Sequence, residues 1–187
     1  MNDLGPLEQL IGTWQGDDGV DVFTTPTGKA ITTDYKETMS FELIPPTKNP
    51  PFQTVQGLRY LTKLENLNTG EPMHQETGYW LINKDLLGGY TIIRAFSIPH
   101  GISIMAGGHI KDGDTKEWTV KAKAGHASYG ILNSHYLEIN AKTTDFSSTF
   151  TISDNGTQLS YHELSTLDFY FLDNQPHTDS NTLTKQP

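Results

Sequence analysis

The sequence contains no cysteine, which excludes disulfide bonds, thiolate metal sites and cysteine nucleophiles. Basic residues are scarce as well: 13 lysines and arginines stand against 22 acidic residues, and the formal net charge is -9. Because nucleic-acid and anionic-membrane surfaces need clustered lysine and arginine, an extended surface of either kind is not expected. The sequence therefore predicts an acidic protein with no nucleic-acid or membrane partner.

Long apolar segments are also absent. No stretch approaches 18 consecutive apolar residues, so no membrane-spanning helix is predicted. The first residues, MNDLGPLEQLIGTW, have neither the basic start nor the apolar run of a secretory signal. Since the lack of cysteine fits a reducing compartment, the cytoplasm is the expected location. A length of 187 residues is typical of one domain, which we place at residues 1–187.

Motifs for two common kinds of chemistry are missing. The sequence has neither the Gly-x-Ser-x-Gly elbow of serine hydrolases nor the glycine-rich patterns of nucleotide-binding proteins. Its seven histidines include no pair spaced i, i+2 or i, i+4, so a multi-histidine metal site would need ligands from distant strands. A single imidazole can still ligate haem iron, because the porphyrin supplies four further donors.

β-forming residues, by contrast, recur throughout in short alternating runs, separated by Gly, Pro, Asn and Asp. The predicted strands are Thr13–Phe23, Ile31–Leu43, Thr54–Leu67, Met73–Asn83, Tyr90–Ile98, Ile102–His109, Glu117–Ala124, Tyr136–Lys142, Ser147–Ile152, Gln158–Tyr170 and His177–Lys185. Turn sequences between them, such as Asn68-Thr69-Gly70 and Asp154-Asn155-Gly156, predict antiparallel hairpins.

Strands joined in this way either close into an up-and-down barrel or stack as a sandwich. Ile31–Leu43 would span about 40 Å, and long meandering strands favour a barrel with an interior cavity. One helical turn is expected at Pro6–Ile11, where it would plug a barrel end. The proline-rich segment 45–52 is predicted to be a surface loop. The predicted fold is therefore all-β, a roughly ten-stranded antiparallel up-and-down barrel with a short N-terminal helical turn.

The residues Gly12-Thr13-Trp14, which open the first strand, resemble the signature of the calycins, the group of lipocalin and fatty-acid-binding barrels. The resemblance implies that the indole of Trp14 closes one end of the barrel, which is a packing role. Calycins also tend to pair this tryptophan with a basic side chain. The resemblance therefore implies that Arg59 or Arg94 stacks on Trp14.

A second resemblance extends over residues 4–185 and is to the nitrobindin-type haem-binding β-barrel family, as a divergent branch. The segments that carry it are Leu10–Gly16, Tyr35–Phe41, Met73–Trp80, Phe96–Gly101, Met105–Gly108 and Pro176–Leu183. The family's His-x-Glu-x-Gly-Tyr motif is matched within Met73–Trp80, and the last of these segments contains a histidine at the start of the terminal strand.

This resemblance implies a barrel that holds haem b at its open mouth. The iron ligand would be His177, while His74 would lie on the distal side and, together with Met73, border the open iron face. His177, His74 and Met73 are thus the expected cofactor-binding residues. The family implies binding of nitric oxide and isomerisation of peroxynitrite to nitrate. Whether this chain is an enzyme stays open at this point, as does the formation of a homodimer.

The first strand departs from the family pattern. Where relatives continue with Gly-x-Gly-x-Gly-x-Tyr-Pro-Thr, this chain reads Gly16-Asp17-Asp18-Gly19-Val20-Asp21-Val22-Phe23. Carboxylates at the mouth would repel a dianionic porphyrin, although salt would screen the repulsion. A second hypothesis therefore stays open: a non-enzymatic barrel that binds a lipid or another small hydrophobic ligand in its cavity, without haem.

The last strand leaves a related question open. With a period of two residues, His177, Asp179, Asn181 and Leu183 share one face. If that face points inward, its polar side chains need partners. The carboxyl group of Asp179 could orient an iron-bound imidazole of His177. It could also line a polar pocket for another ligand, or belong to a structural network. A metal-free acid–base pair of His177 and Asp179 is a further alternative.

Overall fold

The computed structural model describes residues 4–45, 47–49, 53–85, 88–111, 113–114 and 116–187. The strands are β1 (Gly12–Thr24), β2 (Ala30–Leu43), β3 (Thr47–Asn49), β4 (Gln53–Asn66), β5 (Pro72–Lys84), β6 (Tyr90–Ile98), β7 (Ile102–Ile110), β8 (Glu117–Lys123), β9 (Ile131–Asn133), β10 (Ala141–Ile152), β11 (Gln158–Phe169) and β12 (Leu172–Lys185). A 3₁₀ helix (Gly5–Leu10) precedes β1, and an α-helix, α1 (His135–Asn140), precedes β10.

Ten of these strands form a closed antiparallel barrel. The order around the ring is β2-β1-β12-β11-β10-β8-β7-β6-β5-β4, and the ring closes because β4 also pairs with β2. The short strands β3 and β9 lie outside the ring and pair with β4 and β7. The prediction of an all-β, ten-stranded barrel is confirmed.

The predicted strand Tyr136–Lys142 is wrong as far as Asn140, because these residues belong to helix α1. Ser134 is the N-cap: its backbone is extended, and its hydroxyl accepts a hydrogen bond from the Leu137 amide at 3.4 Å. A serine in this position favours a helix start by satisfying an otherwise unpaired amide. β10 then begins at Ala141, earlier than predicted. The tyrosine and isoleucine of this segment suggested a strand, but the cap decided its structure.

The proline-rich segment is only partly described. Pro46, Pro50, Pro51 and Phe52 lie outside the described residues, so the predicted loop cannot be followed through them. Between them, Thr47–Asn49 forms strand β3 and pairs with the start of β4. This part of the predicted loop is therefore a short strand rather than irregular chain.

The N-terminal 3₁₀ helix closes one end of the barrel, as predicted. Leu7 and Leu10 on this helix are fully buried, and so is Trp14 at the start of β1. The indole Nε1–H of Trp14 donates to the Leu10 carbonyl oxygen at 2.7 Å. The basic group over its ring is Lys185, whose Nζ lies 5.1 Å from the ring centroid. The expectation that an arginine stacks there is wrong, because Lys185 directly opposes Trp14 in the β1–β12 register.

A β-bulge in β1 determines which side chains of this strand face inward. The register of β1 shifts between Gly16 and Gly19, so that inward positions are even-numbered before the bulge and odd-numbered after it. The two bulge residues, Asp17 and Asp18, are exposed, and Asp21 beyond them points into the barrel. Bulges commonly re-aim side chains in this way beside functional sites.

The other end of the barrel is called the mouth here. It is formed by the β1–β2, β4–β5, β6–β7 and β11–β12 turns together with α1. Within the described part of the chain, no helix is long and apolar enough to cross a membrane.

Candidate functional site

A cavity of about 330 Å³ lies at the mouth of the barrel. Its walls are largely apolar, with Phe96, Ile104 and Phe146 on one side, and Leu137 of helix α1 also lines it. The volume lies at the lower end of the range for small-molecule sites, about 300–1,000 Å³. The barrel therefore carries a largely apolar cavity at the end opposite its N-terminal plug.

All three residues predicted for a cofactor site line this cavity. His177 is on β12, and His74 and Met73 are on β5. Three strands of the ring separate β12 from β5 on one side, and five separate them on the other. The two imidazoles therefore come from nearly opposite walls of the same cavity.

His177 makes its closest polar contact with a residue that the sequence did not suggest as its partner. Its Nε2 atom lies 2.5 Å from Oδ2 of Asp21 on β1. Phe23, directly opposite His177 in the strand register, packs edge-on against the imidazole with 5.5 Å between ring centroids. The histidine is about one-third exposed and the aspartate 13% exposed, so the pair lies at the cavity wall rather than on the outer surface.

His74 is held by a buried ion-pair network on the opposite wall. Its Nε2 lies 3.6 Å from Oε2 of Glu76, and Glu76 pairs with Arg94. Burial alone would raise the pKa of Glu76, but Arg94 and His74 outweigh it and lower that pKa to about 2. For His74 the effects have the opposite sign. Burial alone would lower its pKa, but the neighbouring Glu76 carboxylate outweighs burial and raises the pKa above its usual value.

Arg94 is the centre of this network. Its guanidinium contacts the carboxylates of both Glu76 and Glu163, and its Nε–H donates to the Tyr60 hydroxyl at 3.0 Å. The cation also lies 4.5 Å from the centroid of the Phe96 ring, within the range of a cation–π contact. Because Arg94 is 2% exposed, one buried cation neutralises much of the negative charge of two buried or half-buried carboxylates.

A second buried network connects the polar face of β12 with β2. Asp179 accepts a hydrogen bond from the Tyr35 hydroxyl, which is 2.8 Å from the hydroxyl of Tyr161. Tyr161 in turn donates to Oε2 of Glu37 at 2.8 Å, and the Asn181 amide donates to the same oxygen at 3.0 Å. Asp179 and Asn181 thus have the partners that their inward orientation requires. Asp179 is bonded to Tyr35, and the carboxylate beside His177 is Asp21.

The two carboxyl groups of this second network keep their protons to a higher pH than ordinary carboxyl groups do. Burial, together with the nearby Glu163 carboxylate, raises the pKa of Asp179 to about 8. Burial raises the pKa of Glu37 to about 7, although the hydrogen bonds that it accepts from Thr62, Tyr161 and Asn181 oppose this shift. Near neutral pH the interior is therefore less negative than its number of carboxyl groups suggests.

These raised pKa values predict that the fold loses stability as pH rises. Glu37 has an ordinary pKa of 4.5, so between pH 4.5 and 7 the unfolded chain has lost a proton that the folded chain retains. The free energy of unfolding should fall across this window by about 1.4 kcal/mol per pH unit for this group. We expect Glu37→Gln to flatten the slope, as measured by urea unfolding from pH 4.5 to 8.

The matched control is Glu42→Gln, which changes an exposed glutamate on the same strand. It should leave the pH slope as in the unchanged protein. Equal slopes in the Glu37→Gln and Glu42→Gln proteins would contradict the assignment. The slope is the diagnostic quantity, because the amide in Glu37→Gln also changes the hydrogen bonds with Thr62 and Tyr161.

The donor set decides what kind of metal site the cavity could form. Among the described residues, no three His, Asp or Glu side chains are grouped closely enough to hold a metal ion. Haem needs only one protein ligand on its iron, together with apolar walls beside the macrocycle. The cavity provides an imidazole on each of two walls and apolar side chains between them. The residues present therefore fit haem better than a metal ion bound by protein ligands alone.

The fold and cavity define a class of protein: closed antiparallel barrels that bind a small molecule at one open end. Within that class, residues 3–185 match the THAP4-like, heme-binding beta-barrel domain, and the chain belongs to this family. The resemblance to haem-binding barrels found in the sequence is thereby confirmed. No curated protein matches the chain.

A comparison with solved structures shows the same fold in another protein. The crystal structure of Rv2717c from M. tuberculosis superposes with a TM-score of 0.66 at 21% sequence identity. The match covers 97% of this chain and 95% of that one. At this identity the comparison establishes a shared barrel architecture over nearly the whole length of both chains.

Proposed function

We propose that the protein binds haem b in the mouth cavity, with His177 as the protein ligand of the iron. The observation that carries this proposal is the placement of His177 and His74 on nearly opposite walls of one apolar cavity. A planar macrocycle between these walls would present one face to each imidazole. Membership of a haem-binding family supports the same reading.

The surroundings of the two histidines support different roles for them. A metal ligand must be a neutral imidazole, and the raised pKa of His74 favours its protonated form. An imidazolium can donate a hydrogen bond to a ligand on the iron but cannot coordinate the iron itself. We therefore assign the iron to His177 and the space beside His74 and Met73 to the incoming ligand.

The proposed reactivity follows from an open position on the iron. Haem would supply a site that binds nitric oxide or peroxynitrite, and the latter can isomerise to nitrate without any further reactant. The contribution of the protein would be the hydrogen bond that His74 donates to an anionic ligand. Glu76, which is itself paired with Arg94, lies 3.6 Å from that imidazole and would orient it. The apolar walls would exclude bulk water.

One observation favours a second candidate function. The described residues that line the cavity include four carboxyl groups, those of Asp21, Glu76, Glu163 and Asp179, and no lysine or arginine. The haem propionates would therefore find no lysine or arginine on these walls, and the imidazole of His74 is already paired with Glu76, so the propionates would have to remain in solvent. A small hydrophobic ligand without negative charge would meet no such repulsion, so a haem-free binding protein is the alternative.

Native mass spectrometry separates these two functions. The full chain, produced with added hemin and then desalted, should carry one haem per chain. Loss of the haem on His177→Ala, with retention on His74→Ala, would support the ligand assignment. Peroxynitrite added to the loaded protein should then give a higher nitrate yield than with the haem-free protein. A haem-free protein that carries another apolar molecule would contradict the proposal and support the alternative.

A further inference from the structure

We propose that Asp21 is a latch on the haem site: its carboxylate occupies Nε2 of His177, so haem must displace this contact before the imidazole can bind iron. This inference rests on the proposed function, because it concerns the same imidazole. If it is correct, the affinity for haem depends on a residue of β1 as well as on His177 of β12. Asp21 is not one of the expected cofactor-binding residues, which are His177, His74 and Met73.

The contact lies on the atom that would bind iron. Oδ2 of Asp21 lies 2.5 Å from Nε2 of His177, which is hydrogen-bonding distance. The same nitrogen cannot hold this hydrogen bond and coordinate iron at the same time. Coordination of iron through Nε2 therefore requires that Asp21 moves away from the nitrogen.

A bulge in β1 places Asp21 beside His177. In the strand register Asp21 lies opposite Asp179 and one inward position away from Phe23, the neighbour of His177. This diagonal placement arises because the bulge between Gly16 and Gly19 shifts the inward positions of β1 to odd numbers. Gly19 permits the arrangement, since a Cβ atom there would lie 2.3 Å from the Tyr35 ring. The latch is thus built into the backbone of β1.

The contact between Asp21 and His177 opposes haem binding. A hydrogen bond to a charged group is stronger than one between neutral groups, and Asp21 is mostly shielded from water. Haem must replace this contact before it gains its own bond to the imidazole, so part of its binding energy is lost. Removing the carboxylate should remove that loss. Asp21 variants should consequently bind haem more tightly than the unchanged protein.

The test is a hemin titration followed by absorbance for the unchanged protein and for Asp21→Asn, Asp21→Ala and Asp17→Asn. Asp17→Asn is the matched control, because it removes the same charge from an exposed position on the same strand. We expect the two Asp21 variants to bind hemin at least about tenfold more tightly, and the Asp17 variant to be unchanged. The gain should persist at high salt, where long-range repulsion is screened.

A second readout needs no haem. The imidazole chemical shifts of His177 in the haem-free protein should change in Asp21→Ala and stay as they are in Asp17→Asn, because only the first variant removes the contact. Circular dichroism would confirm that each variant is folded, and Asp21→Asn preserves the shape of the side chain if the alanine variant is unstable.

The outcomes distinguish the latch from the proposed function. His177-dependent hemin binding that is equal in the Asp21 and Asp17 variants, or weaker in the Asp21 variants, would overturn the latch and leave the haem site standing. If the higher hemin affinity of the Asp21 variants disappears at high salt, repulsion between the carboxylate and the haem propionates explains it, and the latch is wrong. If neither the unchanged protein nor the Asp21 variants bind hemin, both proposals are wrong.

Discussion

Replacement of Arg94 by methionine is expected to lower the free energy of unfolding by about 3–5 kcal/mol. The guanidinium is buried and contacts Glu76 and Glu163, so its removal leaves two carboxylates in the barrel interior without their cation. Methionine retains much of the side-chain volume and so limits the effect of an empty space. Urea unfolding at pH 7 would measure the loss.

Arg59 provides the control, because it is the other arginine of the chain and also lies in a strand. It is exposed and pairs with Glu42 on the barrel surface. Exposed ion pairs contribute about 0–1 kcal/mol, so Arg59→Met should cost no more than this. Similar losses for the two arginine variants would show that Arg94 is not the centre of a buried charge network.

A combined variant tests the physical reason for the Arg94 effect. Buried charges are costly mainly when they are left without a partner. Adding Glu76→Gln and Glu163→Gln to Arg94→Met removes those unpaired charges, so part of the lost stability should return. Further destabilisation, additive over the three changes, would contradict this explanation.

The second large effect is expected for His177→Ala, which should weaken hemin binding by at least about 100-fold, a decrease of about 2.8 kcal/mol in binding free energy. The alanine removes the proposed iron ligand and leaves space at the cavity wall. Added imidazole should enter this space and restore the absorption spectrum of a histidine-ligated haem. This rescue would distinguish a lost ligand from a damaged barrel.

His74→Ala should behave differently. The haem should remain bound, because the proposed iron ligand is unchanged, while the affinity of the ferric form for anionic ligands such as azide should fall. If His74→Ala abolishes the absorption spectrum of the bound haem and His177→Ala does not, then His74 is the iron ligand and the proposed roles of the two histidines are reversed.

Much of the barrel could be predicted from the sequence because its strands are long and its turns have characteristic residues. Tyr90–Ile98, for example, is rich in β-forming residues and lies between a Gly-Gly pair and a Pro-His-Gly turn, and the structure reproduces this strand residue for residue. Helix α1 was missed because a single cap at Ser134 outweighed the β-forming tyrosine and isoleucine of a six-residue segment. Such a short helix has too few turns to show a helical period.

The candidate site was predictable only in part. The resemblance and the position of His177 on the last strand placed that residue, and the period of two correctly grouped it with Asp179 and Asn181. Asp21 could not be placed, because a bulge shifts the inward positions of β1 and no local pattern reveals where register is lost. Arg94 carried a usable signal: one charged residue within the apolar segment Ile92–Phe96 needs a buried partner.

The central claim is that His177 holds haem in the mouth cavity, and an absorbance titration with hemin tests it most directly. The unchanged protein, His177→Ala and His162→Ala should be compared, since His162 lies on the adjacent strand β11 and is exposed. We predict a Soret band that saturates at one hemin per chain in the unchanged protein and in His162→Ala, and no such band in His177→Ala. The same band in all three proteins, or in none of them, would contradict the claim.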